Sequence, residues 1–198
     1  MTDKTFRAYR VSTPATGLPV SLAEARAHLR AEGITYDNDL IEAYIRAAAG
    51  AVETSYSLAL LTQTVVQTHT GFPESGDAFF FRVRPVVSIT SIAYIDSDGV
   101  SQTWANTNYE AEGLNSPIGF PSLWTKFEKE YPVAASVPNA VTITYQAGFG
   151  ADSTSVPANI RLAMLHMVAD MYESREDKAR TLPTVSKALL RTYYNYSP

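Results

Sequence analysis

Apolar residues recur at the spacing of one helix face in three stretches of the chain. Leu40, Ile41, Tyr44, Ile45, Ala48, Val52 and Tyr56 fall three or four positions apart, the period of a helix buried on one side. Ile160, Met164, Met167, Val168 and Met171 make a second stripe, and Leu22, Ala25 and Leu29 a shorter one. Ser21–Glu24 and Asp39–Glu42 have the spacing of capping boxes, in which the first side chain accepts from the backbone three residues on and the last reaches back. Val156-Pro157 opens the last helix with proline at its tolerated first position. Helices are therefore predicted near 22–31, with Gly33 as C-cap, and at 39–57 and 157–176. The small side chains of Ala47–Ala51 let a second helix approach closely.

Between these stretches the period drops to two. Leu61–Thr70, Phe79–Arg84 and Val86–Ile95 are rich in β-branched and aromatic residues and read as strands. Asp96–Gly99 turns the third into Val100–Trp104 as a hairpin, Tyr109–Glu112 adds a short strand, and Val141–Tyr145 alternates cleanly. Residues 113–139 hold Pro117, Pro121, Pro132 and Pro138 and read as a long irregular loop of the kind that often carries function. Residues 1–20 read as an extended arm, and Ser186–Tyr194 as one more short helix. No helical stretch can bury its stripe alone. The expected fold class is α+β: a small helical bundle with an inserted antiparallel β-module and a C-terminal tail. The expected divisions are 1–59, the arm and first bundle helices; 60–150, the β-module; 151–177, the helix that completes the bundle; and 178–198, a basic, tyrosine-rich tail.

Composition supports a packed core: 45% of the 198 residues are apolar and 18% charged. The absence of cysteine removes disulfides, thiol nucleophiles and cysteine-ligated metals together. Met1–Arg7 has no apolar run that would serve as a signal peptide, and no apolar run is long enough to predict a membrane span. The net charge of −4 is unevenly spread. Residues 11–177 hold nine basic against nineteen acidic side chains, whereas Lys4, Arg7 and Arg10 mark one end and Lys178, Arg180, Lys187 and Arg191 the other. An acidic body with basic ends does not match the one-faced basic patch of a nucleic-acid reader. It fits a body whose ends reach acidic neighbours.

Little of the chain invites catalysis. His28, His69 and His166 have no metal-ligand spacing and read as packing or surface histidines. Asp96-Ser-Asp-Gly99 starts like a calcium loop, but glycine stands fourth rather than sixth and Thr107 occupies the twelfth place, so a hairpin turn is the better reading. Gly148-Phe-Gly150 lacks the lysine of a phosphate loop, and its glycines suit a strand-to-loop corner needing positive φ. The pairs Asp37/Asp39 and Glu128/Glu130 sit in cap or loop contexts, with nothing to select one as a catalytic pair. Arg82 and Arg84 beside Phe79–Phe81 have the make-up of a base-stacking surface, although an edge or interface strand explains them as well.

The order of pieces resembles the head–tail connector (adaptor) family of long-tailed bacteriophages and phage-derived gene transfer agents. The likeness runs through Val20–Leu29, Asp39–Ala48, Leu61–Thr64, Pro85–Gly99, Ala140–Gly150, Val156–Glu176 and Leu182–Leu190, roughly residues 18–192. Each piece is a cap, a turn or a stripe; their order and spacing together are what is specific. The resemblance implies a non-enzymatic structural protein without cofactor or metal, found at the head–tail junction of a virion or phage-like particle and assembled in the bacterial cytoplasm. It implies a homo-oligomeric ring, usually of twelve copies, beneath a portal. Such a ring continues the DNA channel without sequence-specific binding and offers its far side to a stopper or tail-completion protein. An acidic body suits a lumen that DNA passes without sticking, because phosphate affinity comes from Lys and Arg.

Two sets of contacts are expected on that reading. Lys178, Arg180, Lys187, Arg191, Tyr193, Tyr194 and Tyr196 form the portal-interface candidates, a basic segment with aromatic anchors. Deleting 178–198 is then expected to abolish head–tail joining and leave the body folded. Trp124, Lys126, Phe127 and Tyr131, in the 113–139 loop, are the tail-side or inter-subunit candidates. The competing readings are a carbohydrate- or protein-binding β-module on a helical scaffold, which should stay monomeric, and a hydrolase using loop carboxylates.

Overall fold

The computed structural model describes residues 5–174 and 182–194, which divide into two compact units. Of the described residues, one unit holds those up to Pro14 together with Thr62–Gly148; the other holds Ala15–Leu61 and those from Phe149 on. The class is α+β, with helices in one unit and antiparallel sheets in the other.

The helical unit contains α1 (Leu22–His28), α2 (Asn38–Tyr56), α3 (Ala158–Glu173) and α4 (Thr184–Leu190), the last followed by a single 3-10 turn, Arg191–Tyr193. The predicted stripes form its core: Ile41, Ile45, Ala48 and Val52 of α2 meet Ile160, Ala163, Met164, Met167 and Val168 of α3. The first capping box is realised, with Ser21 Oγ accepting from Glu24 N and the Glu24 carboxylate accepting from Ser21 N. Glu24 also pairs with Arg161 of α3 at 2.7 Å, so one carboxylate caps α1 and ties it to α3.

Two helix ends differ from expectation. Helix α1 stops at His28, before Gly33, because Arg30 takes the left-handed conformation (φ 54). Ala31 N then bonds Arg26 O and Arg30 N bonds Ala27 O, the Schellman pattern, here without glycine. Helix α2 starts at Asn38, so the Asp39 capping box does not form. Asp37 is the N-cap residue, and its carboxylate accepts from Tyr172 Oη of α3 at 2.7 Å.

Glu53, on α2, accepts from Leu60 N at 2.9 Å. Burial holds its carboxyl above the ordinary value, and that hydrogen bond opposes the shift. A carboxyl raised in the folded state binds its proton more tightly than in the unfolded chain. The folded state therefore loses stability as pH rises from the ordinary value of 4.5 through the folded one. Glu53→Gln keeps an acceptor for Leu60 and removes the buried charge. It is expected to raise the melting temperature at pH 7 and to flatten its pH dependence across that range; a lower melting temperature at pH 7 would contradict this.

Among the described residues the β unit has eight strands in two sheets. The larger has the order β1-β2-β8-β4-β5, from β1 (Phe6–Thr13), β2 (Gln63–His69), β8 (Val141–Ala147), β4 (Val86–Ile95) and β5 (Ser101–Thr103). The smaller has the order β3-β7-β6, from β3 (Phe79–Phe80), β7 (Ser122–Thr125) and β6 (Tyr109–Glu112). All pairings are antiparallel. Alternation sets the faces: Val65, Gln67 and His69 of β2 and Val141, Ile143 and Tyr145 of β8 point inward, while Thr64, Thr68, Thr142 and Thr144 take the opposite face.

Two features of this unit go beyond the sequence pattern. The arm residues Phe6–Thr13 are an edge strand rather than a free extension, with bulges at Arg7 and Ser12. The 113–139 segment, read as irregular, supplies β7, the centre of the smaller sheet. Conversely, the strand expected over Phe79–Arg84 lasts only two residues, because Arg82 N and Val83 N donate to the side chains of Gln67 and Tyr145 instead of to a neighbouring strand. At the strand-to-helix corner Gly148 has φ 140, as positive φ predicts, but Gly150 is needed for another reason: a Cβ there would stand 2.3 Å from Ser155 Oγ.

Candidate functional site

The 113–139 segment is anchored at its base and exposed at its tip. Arg84 is buried, at 1% exposure, and donates from Nη1 to Pro117 O at 2.9 Å and Gly119 O at 3.3 Å. Burial pushes its guanidinium pKa below the ordinary value. Further along, the Tyr131 ring joins Phe72, Phe79 and Trp104 with centroids 5.4–5.9 Å apart, and its hydroxyl donates to Asp77 O at 2.9 Å. Trp124 is half-buried and donates from Nε1 to Ser122 Oγ. Phe127, at 91% exposure, lies between Trp124 and Tyr131, and Val133, at 78%, follows Tyr131. Lys126, exposed, donates to Asn106 O at 3.2 Å. Of the four loop candidates, then, Lys126 and Phe127 are exposed, whereas Tyr131 holds the loop and Trp124 is half covered. Val133 joins them; among mixed loop residues its exposure has no sequence signal. An open groove of about 460 Å³ runs beside the tip, lined by Phe72, Pro73, Lys129 and Tyr131 among others.

The C-terminal candidates separate as well. Lys178, Arg180 and Tyr196 lie outside the described residues. Lys187, Arg191 and Tyr194 are exposed along α4 and the turn after it. Tyr194 meets Tyr56 edge-on at 6.3 Å. Tyr193 is different: at 6% exposure it belongs to the core of the helical unit, with its hydroxyl 3.0 Å from Asn159 Oδ1. Leu190 is fully buried beside it, and Ser186 Oγ donates to Ala163 O at 2.8 Å. Tyr193 is thus a core residue rather than an exposed anchor, and deleting 178–198 would open the core instead of leaving the body folded.

The residues considered for chemistry have structural employment. His69 is buried between Thr5 and Gln67, with Nδ1 3.0 Å from Thr5 Oγ1 and Nε2 2.9 Å from Gln67 Nε2. His28 and His166 meet edge-on at 5.4 Å, and burial, then the neighbouring His166, lowers the His28 pKa. Asp96 accepts from Asp98 N, Val100 N and Gln102 Nε2 at 2.8–3.0 Å, which makes it the organiser of the β4–β5 turn and holds its pKa below the ordinary value. Arg82 lies 4.4 Å above the Phe6 ring and Arg84 is buried, so the pair does not form a base-stacking platform. Among the described residues no three His, Asp or Glu side chains gather where they would hold a metal ion, and no helix is long and apolar enough to cross a membrane.

The fold defined by these two units recurs in particle necks. The chain is similar to one in the virion of a native gene transfer agent (GTA) particle, at TM-score 0.79 and 24% identity over 95% of both chains. It is also similar to a chain in the neck of an empty GTA particle computed with C6 symmetry (TM-score 0.77, 24% identity) and to one in the neck of a native GTA particle computed with C12 symmetry (0.75, 23%), each again over 95% of both chains. At these identities the likeness establishes a shared fold. No protein-family model and no curated protein matches the chain.

Proposed function

We propose that this chain is a structural subunit of the neck of a phage-like particle, a head–tail connector that assembles as a ring beneath the portal. The observation that carries the reading is the shared fold across 95% of both chains with subunits of GTA virions and necks. The ring extends the DNA channel, and the acidic body favours passage over adhesion. The exposed side of α4, with Lys187, Arg191 and Tyr194, faces the portal. The Phe127–Val133 tip faces the stopper or tail.

Co-sedimentation of the purified chain with a portal ring from the same particle tests the reading: a saturable complex is expected, and none at any concentration would refute portal docking. The tip has its own test. Phe127→Ser with Val133→Ser removes two exposed apolar groups, so stability should change by less than about 0.5 kcal/mol. Tailed particles counted in electron micrographs should fall sharply while filled heads persist. Tailed particles at the normal frequency would contradict the assignment of the tip.

A further inference from the structure

The larger sheet of the β unit ends in two edge strands, one basic and one uncharged but flanked by acidic side chains. Strand β1 closes one end of the strand order, and seven of its eight residues are exposed. It carries Arg7 and Arg10 and no acidic residue. Strand β5 closes the other end. The chain leaves β5 into Trp104, whose ring lies 5.1 Å from Tyr109 at the start of β6, so β6, the outer strand of the smaller sheet, lies on the β5 side. That side carries Asp96 and Asp98 in the β4–β5 turn and Glu110 and Glu112 on β6, the two glutamates exposed. Lys126, its nearest base, is bonded at the Tyr109 end of the β6–β7 ladder, away from Glu112.

An open edge strand is a template for pairing, which proteins normally guard with charge and bulges. Here the guard is selective. Arginines and the bulges at Arg7 and Ser12 discourage β1 from pairing with a neutral or basic strand, and they favour an acidic one. Because basic β1 and the acidic surroundings of β5 stand at opposite ends of the strand order, joining one to the other is head-to-tail. Such a contact repeats from copy to copy and closes into a ring when the rotation permits.

We propose that the basic outer edge of β1 in one copy docks on the acidic β5–β6 side of the next copy, and that this contact is the head-to-tail interface between neighbours. It rests on the ring reading given above.

The test uses two charge-reversed forms of the full chain. Arg7→Glu with Arg10→Glu makes both edges acidic; Asp98→Lys, Glu110→Lys and Glu112→Lys together leave only Asp96 acidic on the β5–β6 side and make both edges basic. Each form alone should self-associate at least about tenfold more weakly than the wild-type chain in a sedimentation concentration series. Mixed in equal amounts, the two should recover wild-type association, since every junction again joins opposite charges. Recovery in the mixture also shows that both forms are folded. Wild-type rings together with unimpaired association of both single forms would overturn the interface and leave the ring reading standing. So would impaired single forms that melt as the wild type does and do not recover on mixing. A wild-type chain that stays monomeric in the series and forms no ring on a purified portal would remove the ring reading, and this proposal with it.

Discussion

Ending the chain at Ser174 is expected to unfold the helical unit, not to trim a dispensable tail. Leu190 and Tyr193 are buried in its core, and Leu182 and Leu189 pack against it. Exposing a fully buried apolar side chain costs about 1.5–3 kcal/mol, so Leu190 and Tyr193 alone account for about 3–6 kcal/mol. That is comparable to the whole net stability of a small domain, about 5–15 kcal/mol. The truncation also removes the Ser186 bond to Ala163 O and leaves Asn159 without its partners at Leu189 and Tyr193. Circular dichroism should show lost helix, with amide exchange accelerated in α2 and α3 but not in β2 or β8. Leu190→Ala is the graded version and should cost about 2–5 kcal/mol. A truncated chain with native protection in α2 and α3 would contradict this packing. The proposed portal contact is therefore tested by Lys187→Glu with Arg191→Glu, which alter exposed groups and spare the core.

Arg84→Ala is expected to release the 113–121 segment and destabilise the β unit by about 3 kcal/mol or more. The guanidinium serves two half-exposed backbone carbonyls, and hydrogen bonds to a charged group contribute about 1.5–3 kcal/mol each. The vacated volume adds a cavity term. For a protein of this length the midpoint should fall by roughly 6–12 °C. Amide exchange should accelerate first around Pro117–Pro121 and then in β7, whose Ser122 begins just beyond that turn. A midpoint within about 2 °C of the wild type would show that Arg84 does not hold the segment.

The parts of this fold that a sequence can show are those with a period. The α2 and α3 stripes, the β2 and β8 alternation and the Asp96–Gly99 turn are legible because each repeats a local rule over several residues. What is set by distant partners is not. Ser122–Thr125 is four residues between loops, and only β3 and β6 on either side make it a strand. Phe6–Thr13 looks like any extended arm until β2 pairs with it. Arg84 has no local signal separating a buried clamp from an exposed cation; the signal lies in the carbonyls of Pro117 and Gly119, more than thirty residues away. The same limit governs the candidate surfaces. A tyrosine cluster near the C-terminus reads as one anchor set, yet Tyr193 packs inward toward Asn159 while Tyr194 stays exposed. The charge asymmetry is legible in composition, but the place of Arg7 and Arg10 on an edge strand requires the strand order.

The central claim, that this chain is a ring-forming neck subunit, is tested most directly by a cryo-electron microscopy reconstruction of the neck of the particle that contains it. The account predicts a closed ring of this chain between portal and tail, with α4 toward the portal and the Phe127 tip toward the tail. A neck whose density is fully explained by other chains, with this one absent from the ring, would contradict it.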